Sequence, residues 1–583
     1  MLTSLAEAYR RGAQIVHINP LVEAASRSTI VPHEFVNMAL FKATQTSTLD
    51  LQVRPGGDLA LMRAIAKAVF ERAETDPSVI DQDFVQNHTK DFEAYRDLVT
   101  ATSWDELERQ AGLSHEQIMR AAEIYIASDK TIISWCLGVT QHEHGVDAAR
   151  EITNLLLLRG NIGRPGAGPS PVRGHSNVQG NRTCGIDHRP TEEFLSRMDA
   201  ATGITSPREH GLDTVRTIQA MHAGEVTVFV GMGGNFVMAA PDTAYTMAAM
   251  RNCELTVQVS TKLNRSHLVH GKRALILPCI GRTERDEQAD GLQATSVEDA
   301  MSMVHLTRGS RRPASTALKS EPAIIAGLAR ATLPDSKTPW EWYVADYDRI
   351  RDVMSRALAG FDEFNAAVRQ RNGFRIPQDA RERKFATPSG KAEFSLAPLP
   401  DVIPADPDML VLQTMRSHDQ WNTTIYSDND RYRGVKNIRT LVFMNPEDMR
   451  ERGIDAWGIE NNRYIHGKTP KALKKYNKLG SIADMPFKDE EFDFVFETSL
   501  CHVAPKQVGR AIKELNRVVR TGLVFGSITS DMAPALVDRY DLLRGVRKLG
   551  TWWEWSELFF GNGFDLAMHR KDCTDALWEA TLA

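Results

Sequence analysis

A segment rich in glycine and arginine, residues 159–189, constrains this chain more than any other feature. It reads RGNIGRPGAGPSPVRGHSNVQGNRTCGIDHR and holds seven glycines, five arginines and two histidines. Glycines let backbone N–H groups approach a ligand closely and permit left-handed turns, and arginines donate paired hydrogen bonds to phosphates. The segment favours a site for a large polyanionic ligand. The alternative is an irregular loop with ordinary surface arginines, although loops this long are uncommon unless they are functional or disordered.

Composition narrows the class of protein. A chain of 583 residues exceeds one core and suggests about four domains. Its 70 basic and 75 acidic residues leave a net charge of −5, which argues against a general nucleic-acid or membrane-surface binder. No apolar run reaches the roughly 18 residues of a membrane span, and the N-terminus has no signal-peptide pattern.

Cysteine usage points to a reducing compartment, so we expect a cytoplasmic protein. The chain has six cysteines and no Cys-x-x-Cys pair, which argues against a zinc ribbon or a locally built iron–sulfur site. Cys136 and Cys184 are interpreted as small buried hydrophobic residues rather than as nucleophiles or metal ligands.

Strands alternate with helices over much of the chain. The patterns predict helices at residues 2–11, 57–73, 81–87, 103–110, 114–127 and 148–158, and strands at 13–18, 131–135, 226–230, 254–259 and 274–277. This alternation predicts an α/β fold with doubly wound parallel sheets. Residues 410–414 and 440–444 predict strands of a further, more β-rich domain.

Polar segments follow several predicted strands. The turn at residues 231–235 is not a GxGxxG motif, so a nicotinamide dinucleotide site is weakly indicated. Residues 260–267 and 416–424 fit either ligand contacts or helix caps and surface turns. Gln141-His142-Glu143-His144 is interpreted as satisfied polar side chains, or as residues that support others in contact with a ligand, rather than as a metal site, because no third metal ligand is evident nearby.

Taken together, these segments resemble the formate-dehydrogenase-like branch of the molybdopterin oxidoreductases over residues 1–455. His17-Ile-Asn19-Pro20 and Arg54-Pro-Gly-Gly-Asp58 are similar to the family segments that contact the guanine end of a pterin dinucleotide. Residues 173–180, RGHSNVQG, are similar to the stretch beside the cofactor, and Asn445-Pro-Glu-Asp448 is similar to a motif of the C-terminal domain.

The resemblance implies molybdenum held by two molybdopterin guanine dinucleotides, with His175 as the candidate for proton transfer and no protein metal ligand in this chain. The implied cofactor contacts are Asn19, Pro20, Gly56, Asp58, Gln141, His142, Gly160, Arg164, Arg173, Gly174, Asn177, Gln179, Gly180, Gly234, Asn235, Ser260, Arg265, Arg416, His418, Asn422, Thr423 and Asn445.

The sequence also departs from the family. It lacks the N-terminal domain that, in many members, carries [4Fe–4S] cysteines and a molybdenum ligand, so a [4Fe–4S] cluster is not expected in this chain. We expect a small-molecule substrate, an electron acceptor that the sequence does not identify, no nucleic acid, and a role for a separate complementing N-terminal fragment.

The last part of the chain, after residue 455, resembles a class I S-adenosylmethionine-dependent methyltransferase. Glu460 stands at the position that binds the ribose hydroxyls, and Asp484 at the position beside the adenine. The first strand with its glycine-rich turn is missing, so we expect no S-adenosylmethionine binding. The alternative is an unrelated α/β tail.

These observations predict four domains. They are a partial α/β domain (1–135), a pterin-dinucleotide-binding α/β domain (136–400), a truncated β-rich dinucleotide-binding domain (401–455) and a partial Rossmann-like methyltransferase domain (456–583). The leading hypothesis is a molybdopterin-dependent oxidoreductase, inactive if the truncation prevents a complete site. The alternatives are a methyltransferase acting through the tail and a catalytically silent fusion fragment.

Overall fold

A computed structural model describes residues 2–31, 34–172, 178–299, 301–406, 408–421, 424–427, 430, 433, 442–445, 448–449, 457–460, 475–497, 505–525, 564–568 and 578–582. The chain divides into two units, Met1–Ala405 and Asp406–Ala583. Each unit has its own buried apolar residues. The four-domain division stays a prediction.

Helices dominate the first unit in the described ranges. Their bounds are α1 Leu2–Arg10, α2 Ala24–Arg27, α3 Phe35–Ala39, α4 Asp58–Ala73, α5 Gln82–His88, α6 Phe92–Ala101, α7 Trp104–Ala111, α8 His115–Ile126, α9 Leu137–Thr140, α10 Gly145–Leu158, α11 Val178–Thr183, α12 Glu192–Thr202, α13 Thr214–Ala223, α14 Phe236–Ala239, α15 Thr243–Asn252, α16 Glu321–Thr332, α17 Trp340–Ala345, α18 Tyr347–Ala357 and α19 Phe364–Ala367; α20 Val508–Val518 lies in the second unit.

The strands are short. Their bounds are β1 Val16–Ile18, β2 Ser28–Thr29, β3 Thr44–Gln45, β4 Leu49–Leu51, β5 Thr89–Lys90, β6 Ile132–Trp135, β7 Gly168–Pro171, β8 Val228–Met232, β9 Leu255–Ser260, β10 Arg273–Pro278, β11 Glu287–Gln288, β12 Gly291–Leu292, β13 Thr295–Glu298, β14 Met303–Thr307, β15 Phe374–Arg375, β16 Ala392–Glu393, β17 Gln420–Trp421, β18 Thr424–Ile425, β19 Gly458–Glu460, β20 Asn477–Leu479, β21 Phe492–Glu497, β22 Val519–Phe525, β23 Phe564–Met568 and β24 Trp578–Leu582.

Helix α4 forms the centre of the largest core. Every residue from Leu59 to Phe70 is buried, because α6, α7, α8 and α10 pack around it. A helix that is apolar on most sides is stable only when neighbours surround it. Local signals set the ends of its neighbours: the Ser103 and Ser114 hydroxyls each cap a helix, and Gly112 ends α7 in the left-handed conformation. The predicted helices of this region are confirmed.

A buried ion pair joins α4 to α10. Arg63 Nε donates to Glu151 Oε1 at 3.1 Å, and both side chains are essentially excluded from solvent. Tyr95 Oη also donates to Glu151 Oε1, at 3.0 Å, and Arg63 Nη2 donates to the Ala397 carbonyl at 2.8 Å. Hydrogen bonds on all sides offset the desolvation cost of the two charges.

The predicted parallel sheet is confirmed as three strands in the order β10-β9-β8. Val230 pairs with Val257, which pairs in turn with Leu275. Helices α13 and α15 pack on one face, and Ile324 of α16 packs beside Val259 on the sheet. The α/β class with a parallel sheet is therefore confirmed, while Val228, Val230 and Met232 on one face of β8 are exposed.

The second unit is built from small sheets. Strands β17 and β18 form a hairpin, β19 pairs in parallel with β20, and the four-stranded sheet has the order β21-β22-β24-β23. Helix α20 buries Val508, Ile512 and Leu515 against Ala483 and Met485. The β21–β22 pair is parallel, in agreement with the predicted Rossmann-like character of the tail.

The prediction of a strand at residues 410–414 is wrong. Residues 408–417 form no regular element, and Leu410, Val411 and Leu412 are exposed. A strand needs a neighbour for its backbone groups, and no described strand pairs with this segment. Of the second predicted strand, residues 442–444 are not in a strand, and 440–441 lie outside the described residues.

Candidate cofactor-binding site

The carboxyl ends of β1 and β4 bring together the first group of predicted site residues. The two strands pair in parallel, so Asn19 follows β1 beside the chain that leaves β4. Asn19 donates its backbone N–H to the Leu51 carbonyl at 3.1 Å, and its side-chain amide donates to the Leu21 carbonyl. The carbonyl of Pro20 accepts from Gln52 Nε2 at 3.4 Å.

A tight turn then delivers Asp58 to the start of α4. Gly56 has a φ of +83°, and a Cβ added to Gly57 would lie 2.6 Å from the Gln110 carbonyl oxygen. The turn closes with a 2.8 Å hydrogen bond from Gly57 N to the Arg54 carbonyl. Gly56 is therefore favoured by its left-handed conformation, and Gly57 by the close approach of the turn to α7.

Two buried polar atoms in or near this turn lack a hydrogen-bond partner, and Asp58 itself is affected by burial. Burial raises the pKa of Asp58 above the ordinary aspartate value, and the nearby His142 partly offsets that rise. Arg54 Nε and His142 Nε2 are both buried without a hydrogen-bond partner. A buried polar atom without a partner costs about 1–3 kcal/mol, so both atoms are candidates for hydrogen bonds with a ligand or an ordered water. Gln141 is exposed at the end of α9.

The carboxyl ends of β8 and β9 bring together the second group. Gly233 and Gly234 take φ values of +68° and +73°, and Gly233 N donates to the Val259 carbonyl at 2.8 Å. These left-handed residues turn the chain across the end of the sheet, where open α/β sheets bind ligands. Ser260 ends β9 and donates its hydroxyl to the Lys262 carbonyl at 2.7 Å.

Two residues that sequence reasoning missed tie these turns together. Asn264 Nδ2 donates to the Gly234 carbonyl at 2.7 Å, and the buried Ser266 hydroxyl donates to Asn235 Oδ1 at 2.6 Å. The same hydroxyl accepts from Val237 N at 3.1 Å. Both residues lie within the polar segment 260–267 identified from the sequence. The guanidinium-bearing Arg265 is exposed beside them.

The described start of the glycine- and arginine-rich segment is engaged with the protein itself. Arg164 Nη2 donates to Asp81 Oδ2 at 2.7 Å, and the two Nη atoms of Arg159 donate to the carbonyls of Val79 and Ser128. A Cβ added to Gly160, whose φ is +58°, would lie 2.3 Å from Asp81 Oδ2. These contacts hold the segment in place. Arg159 and Arg164 also line a cavity of about 490 Å³ that includes Asp81 and Asp129, whose carboxylates oppose the positive charge.

The middle of that segment lies outside the described residues, which leaves Arg173, Gly174, His175 and Asn177 as predictions. The chain is described again in α11, where Gln179 Nε2 donates to Glu298 Oε1 at 3.1 Å and Gly180 is buried. Cys184 follows α11 and is partly buried, and burial raises its pKa to about 11. Cys136 is exposed, so the prediction that it is buried is wrong.

In the second unit, taken by itself, fewer of the predicted cofactor contacts lie within the described residues. Arg416 is exposed, and its carbonyl accepts from Arg433 Nη1 at 3.0 Å. His418 N donates to Asp430 Oδ2 at 3.2 Å. Asn445 accepts at its carbonyl from Met449 N at 3.1 Å. Asn422 and Thr423 lie outside the described residues.

In the tail, Glu460 is the last residue of β19 and pairs with Leu479 of β20. The Asp484 side chain is 82% exposed and lies 3.7 Å from Arg510. Arg517 of α20 fixes the loop that carries Asp484: it donates to the carbonyls of Met485 and Phe487 and to Glu514. Arg517 and Glu514 were missed from the sequence.

Two absences hold for the described part of the chain. None of its helices combines the length and apolar character of a membrane span. Within the same ranges, no three histidine, cysteine or acidic side chains cluster as metal ligands would.

Comparisons with known proteins identify two families. Residues 11–285 match the molybdopterin oxidoreductase family model, a range that includes both strand edges. Residues 444–525 match a methyltransferase domain model.

Two of the similar curated proteins carry an oxidoreductase or dehydrogenase name, and a third carries no activity in its name. An uncharacterized oxidoreductase of Mycobacterium tuberculosis is 50% identical over 459 residues, which is 78% of this chain and 59% of the relative. Protein YdeP of Escherichia coli is 44% identical over 457 residues, 77% of this chain and 60% of the relative. YrhE of Bacillus subtilis, provisionally named a formate dehydrogenase, is 28% identical over 252 residues, 42% of this chain and 25% of the relative. The chain spans about three fifths of the length of the first two relatives.

Proposed function

Taking the chain as a member of the molybdopterin oxidoreductases joined to a methyltransferase-like segment, we propose that its first unit binds molybdopterin guanine dinucleotide at the carboxyl ends of its parallel strands. The family implies a molybdopterin cofactor, and the guanine dinucleotide form is the finer proposal. In the same proposal, the chain serves a formate-dehydrogenase-like oxidation in the cytoplasm.

The observation that carries the proposal is the set of unsatisfied polar groups around Asp58. Guanine presents an amino donor together with the acceptors O6 and N7. A carboxylate such as that of Asp58 accepts from the donor edge, while Arg54 Nε, and His142 Nε2 when it carries its proton, donate to acceptors. Arg54 Nε and His142 Nε2, which are buried without a partner in the protein, and the Asp58 carboxylate together match the hydrogen-bonding groups of the proposed ligand.

The second strand edge supports the same ligand class. A pyrophosphate needs backbone N–H groups and a cation, and glycines with positive φ allow the chain to approach it closely. Gly233 and Gly234 give the chain a left-handed turn at this edge, in which Gly233 N donates to the Val259 carbonyl, and the exposed Arg265 supplies a permanent positive charge. Asn235, held by Ser266, offers an oriented amide at the same edge.

The cofactor, when bound, supplies two-electron chemistry at molybdenum. The chain supplies binding, orientation and electrostatics: Asn19 and Asp58 face one nucleotide end, and Arg265 the other. Among the remaining predicted contacts, Gln179 and Gly180 lie beside the pterin system together with Arg173 and Asn177. His175 is the proposed proton carrier, since an imidazole changes protonation near neutral pH.

The proposal is tested by expressing the full chain in a host that makes the cofactor and measuring pterin by the fluorescence of its oxidised form. We expect pterin in the wild-type chain, and at least tenfold less in Asp58→Ala, because one hydrogen bond to a charged group contributes about 1.5–3 kcal/mol. The matched control is Asp83→Asn, which changes an acidic residue in the first turn of the exposed start of α5. Equal pterin in wild type and Asp58→Ala would contradict the assignment.

Substrate and partners are separate parts of the proposal. Formate is tested by the reduction of an artificial electron acceptor, with and without added formate. Independently of the substrate, we propose that the first unit acts together with a separate N-terminal fragment, as the resemblance to the family implies. Formate-dependent reduction that appears only when such a fragment is added would support that part, and none under either condition would contradict formate as the substrate.

A second candidate function rests on the match of residues 444–525 to a methyltransferase domain. The proposed cofactor is S-adenosylmethionine, with Glu460 and Asp484 as its contacts. The high exposure of Asp484 and the missing glycine-rich turn favour no binding. Calorimetry with S-adenosylmethionine decides: heat that disappears in Asp484→Ala would establish the function, and no heat would eliminate it.

A further inference from the structure

A buried carboxylate on β13 holds the helix that follows the proposed pterin-contacting segment. Glu298 is 7% exposed and pairs across the sheet with Val304 of β14. Its Oε1 accepts from Gln179 Nε2 at 3.1 Å, and its Oε2 accepts from Thr183 Oγ1 at 2.7 Å. One acidic side chain from a distant strand thus contacts both ends of α11.

The same contacts fix which way the Gln179 amide points. The Gln179 Nε2 group faces two acceptors, the Glu298 carboxylate and the Asp299 carbonyl. Neither acceptor can donate a hydrogen bond, so the opposite flip of the amide would place Oε1 against two oxygen atoms and is disfavoured. Both amide hydrogens are therefore used within the protein. The atom that remains for a ligand is Oε1, on a side chain that is only partly buried.

From this geometry we infer that Glu298 is a positioning residue that orients the Gln179 amide. The Gln179 oxygen then faces the pterin as a hydrogen-bond acceptor, and the ligand group at this position is an N–H donor. The inference rests on the proposed function and goes beyond it, because it assigns a role to a residue outside the predicted site and a polarity to one contact. A fused pterin ring carries amino and ring N–H donors of the required kind.

Glu298 acts through Gln179 in this account, and a double-mutant cycle separates that role from plain stabilisation. The variants are Gln179→Ala, Glu298→Gln and the two together, in the full chain made in a cofactor-producing host. The matched control is Glu284→Gln, since Glu284 is a partly buried carboxylate of the same unit that accepts from backbone N–H groups of Gly281 and Ala314 instead.

The first readout is pterin retained per chain after dialysis. We expect each single variant to retain up to about tenfold less, as for the loss of one neutral hydrogen bond, and the double variant to retain no less than Gln179→Ala alone. The Glu284→Gln variant retains the wild-type amount. Independent effects, in which the double variant falls by the product of the two single factors, would overturn the inference.

The second readout needs no cofactor. Amide hydrogen exchange in peptides covering residues 178–183 should accelerate about tenfold in cofactor-free Glu298→Gln and stay unchanged in Glu284→Gln. Unchanged exchange overturns the inference even if pterin is lost. A wild-type chain that retains no pterin overturns the proposed function and the ligand part of the inference together, whereas wild-type retention with equal retention in Glu298→Gln overturns the inference alone.

Discussion

Replacing Arg63 by methionine tests the packing that positions the first strand edge. Arg63 lies on α4, whose first residue is Asp58, and Glu151 lies on α10, a few residues after His142. The guanidinium makes two hydrogen bonds to Glu151, at 3.1 and 3.3 Å, and one to the Ala397 carbonyl at 2.8 Å. Methionine fills much of the same volume and removes all three.

The expected cost follows from what the substitution leaves behind. Glu151 is 0% exposed and would retain only the donors Tyr95 Oη and Asn154 Nδ2. Breaking a buried ion pair by removing one partner costs about 3–5 kcal/mol. At 1.4 kcal/mol for each factor of ten, amide hydrogen exchange in α4 and α10 should accelerate by roughly one hundred to several thousand times.

Peptide-level hydrogen exchange of the full chain measures this effect locally, without assuming two-state unfolding of a large protein. The control is the charge-free double variant Arg63→Met/Glu151→Gln, in which Tyr95 still donates to a buried carbonyl oxygen. Neutral replacements of buried ion pairs are often tolerated, so this variant should recover most of the protection. Acceleration below about tenfold in Arg63→Met, or a double variant that is worse than the single one, would refute the reasoning.

Three further predictions concern the two strand edges and the tail. Asp58→Asn should stabilise the cofactor-free chain at pH 7 and lower pterin retention. Burial raises the pKa of Asp58. The contribution of this residue to stability is therefore fully present below the ordinary pKa of about 3.9 and is lost as the pH rises through the raised pKa. Melting temperatures of wild type and Asp58→Asn are compared at pH 4 and pH 7, and an equal difference between the two proteins at both pH values would contradict the prediction. Ser266→Ala removes the hydroxyl that bridges Asn235 and Val237 N. We expect it to lower the local free energy of unfolding by about 1–3 kcal/mol, seen as faster amide hydrogen exchange at Val237, and exchange at the wild-type rate would argue against a bridging role. Arg517 holds the pKa of Glu514 below its usual range, so Arg517→Met should raise that pKa. The substitution should also speed proteolysis of residues 475–525, and an unchanged cleavage rate would show that Arg517 does not anchor the loop that carries Asp484.

The sequence predicted the helices and the parallel sheet because their signals are local. Apolar spacing, the capping serines before α7 and α8, and the glycine at the end of α7 all act within a few residues. Residues 410–414 are apolar like the confirmed strands, but no described strand pairs with them. Strand formation depends on such a neighbour, so the prediction was wrong there.

For the site residues as well, the sequence identifies those with a local signal and misses those that depend on long-range contacts. The Arg-Pro-Gly-Gly-Asp turn was singled out by its resemblance to a family segment, and the polar segment 260–267 because it begins at the end of a predicted strand. Glu298 carried no local signal, since its partner Gln179 lies 119 residues away. Arg164 was expected to face a ligand, yet its guanidinium is held by Asp81, 83 residues earlier. A long-range contact of this kind is invisible to any pattern read along the chain.

The central claim is that this chain holds a guanine dinucleotide at its strand edges. The most direct measurement is the guanine nucleotide released by acid from the full chain purified from a cofactor-producing host, determined by mass spectrometry alongside molybdenum. We predict that guanosine monophosphate and molybdenum co-purify with the wild-type chain and that both fall at least tenfold in Asp58→Ala. A wild-type chain that releases neither, or a variant that releases as much as wild type, would contradict the claim.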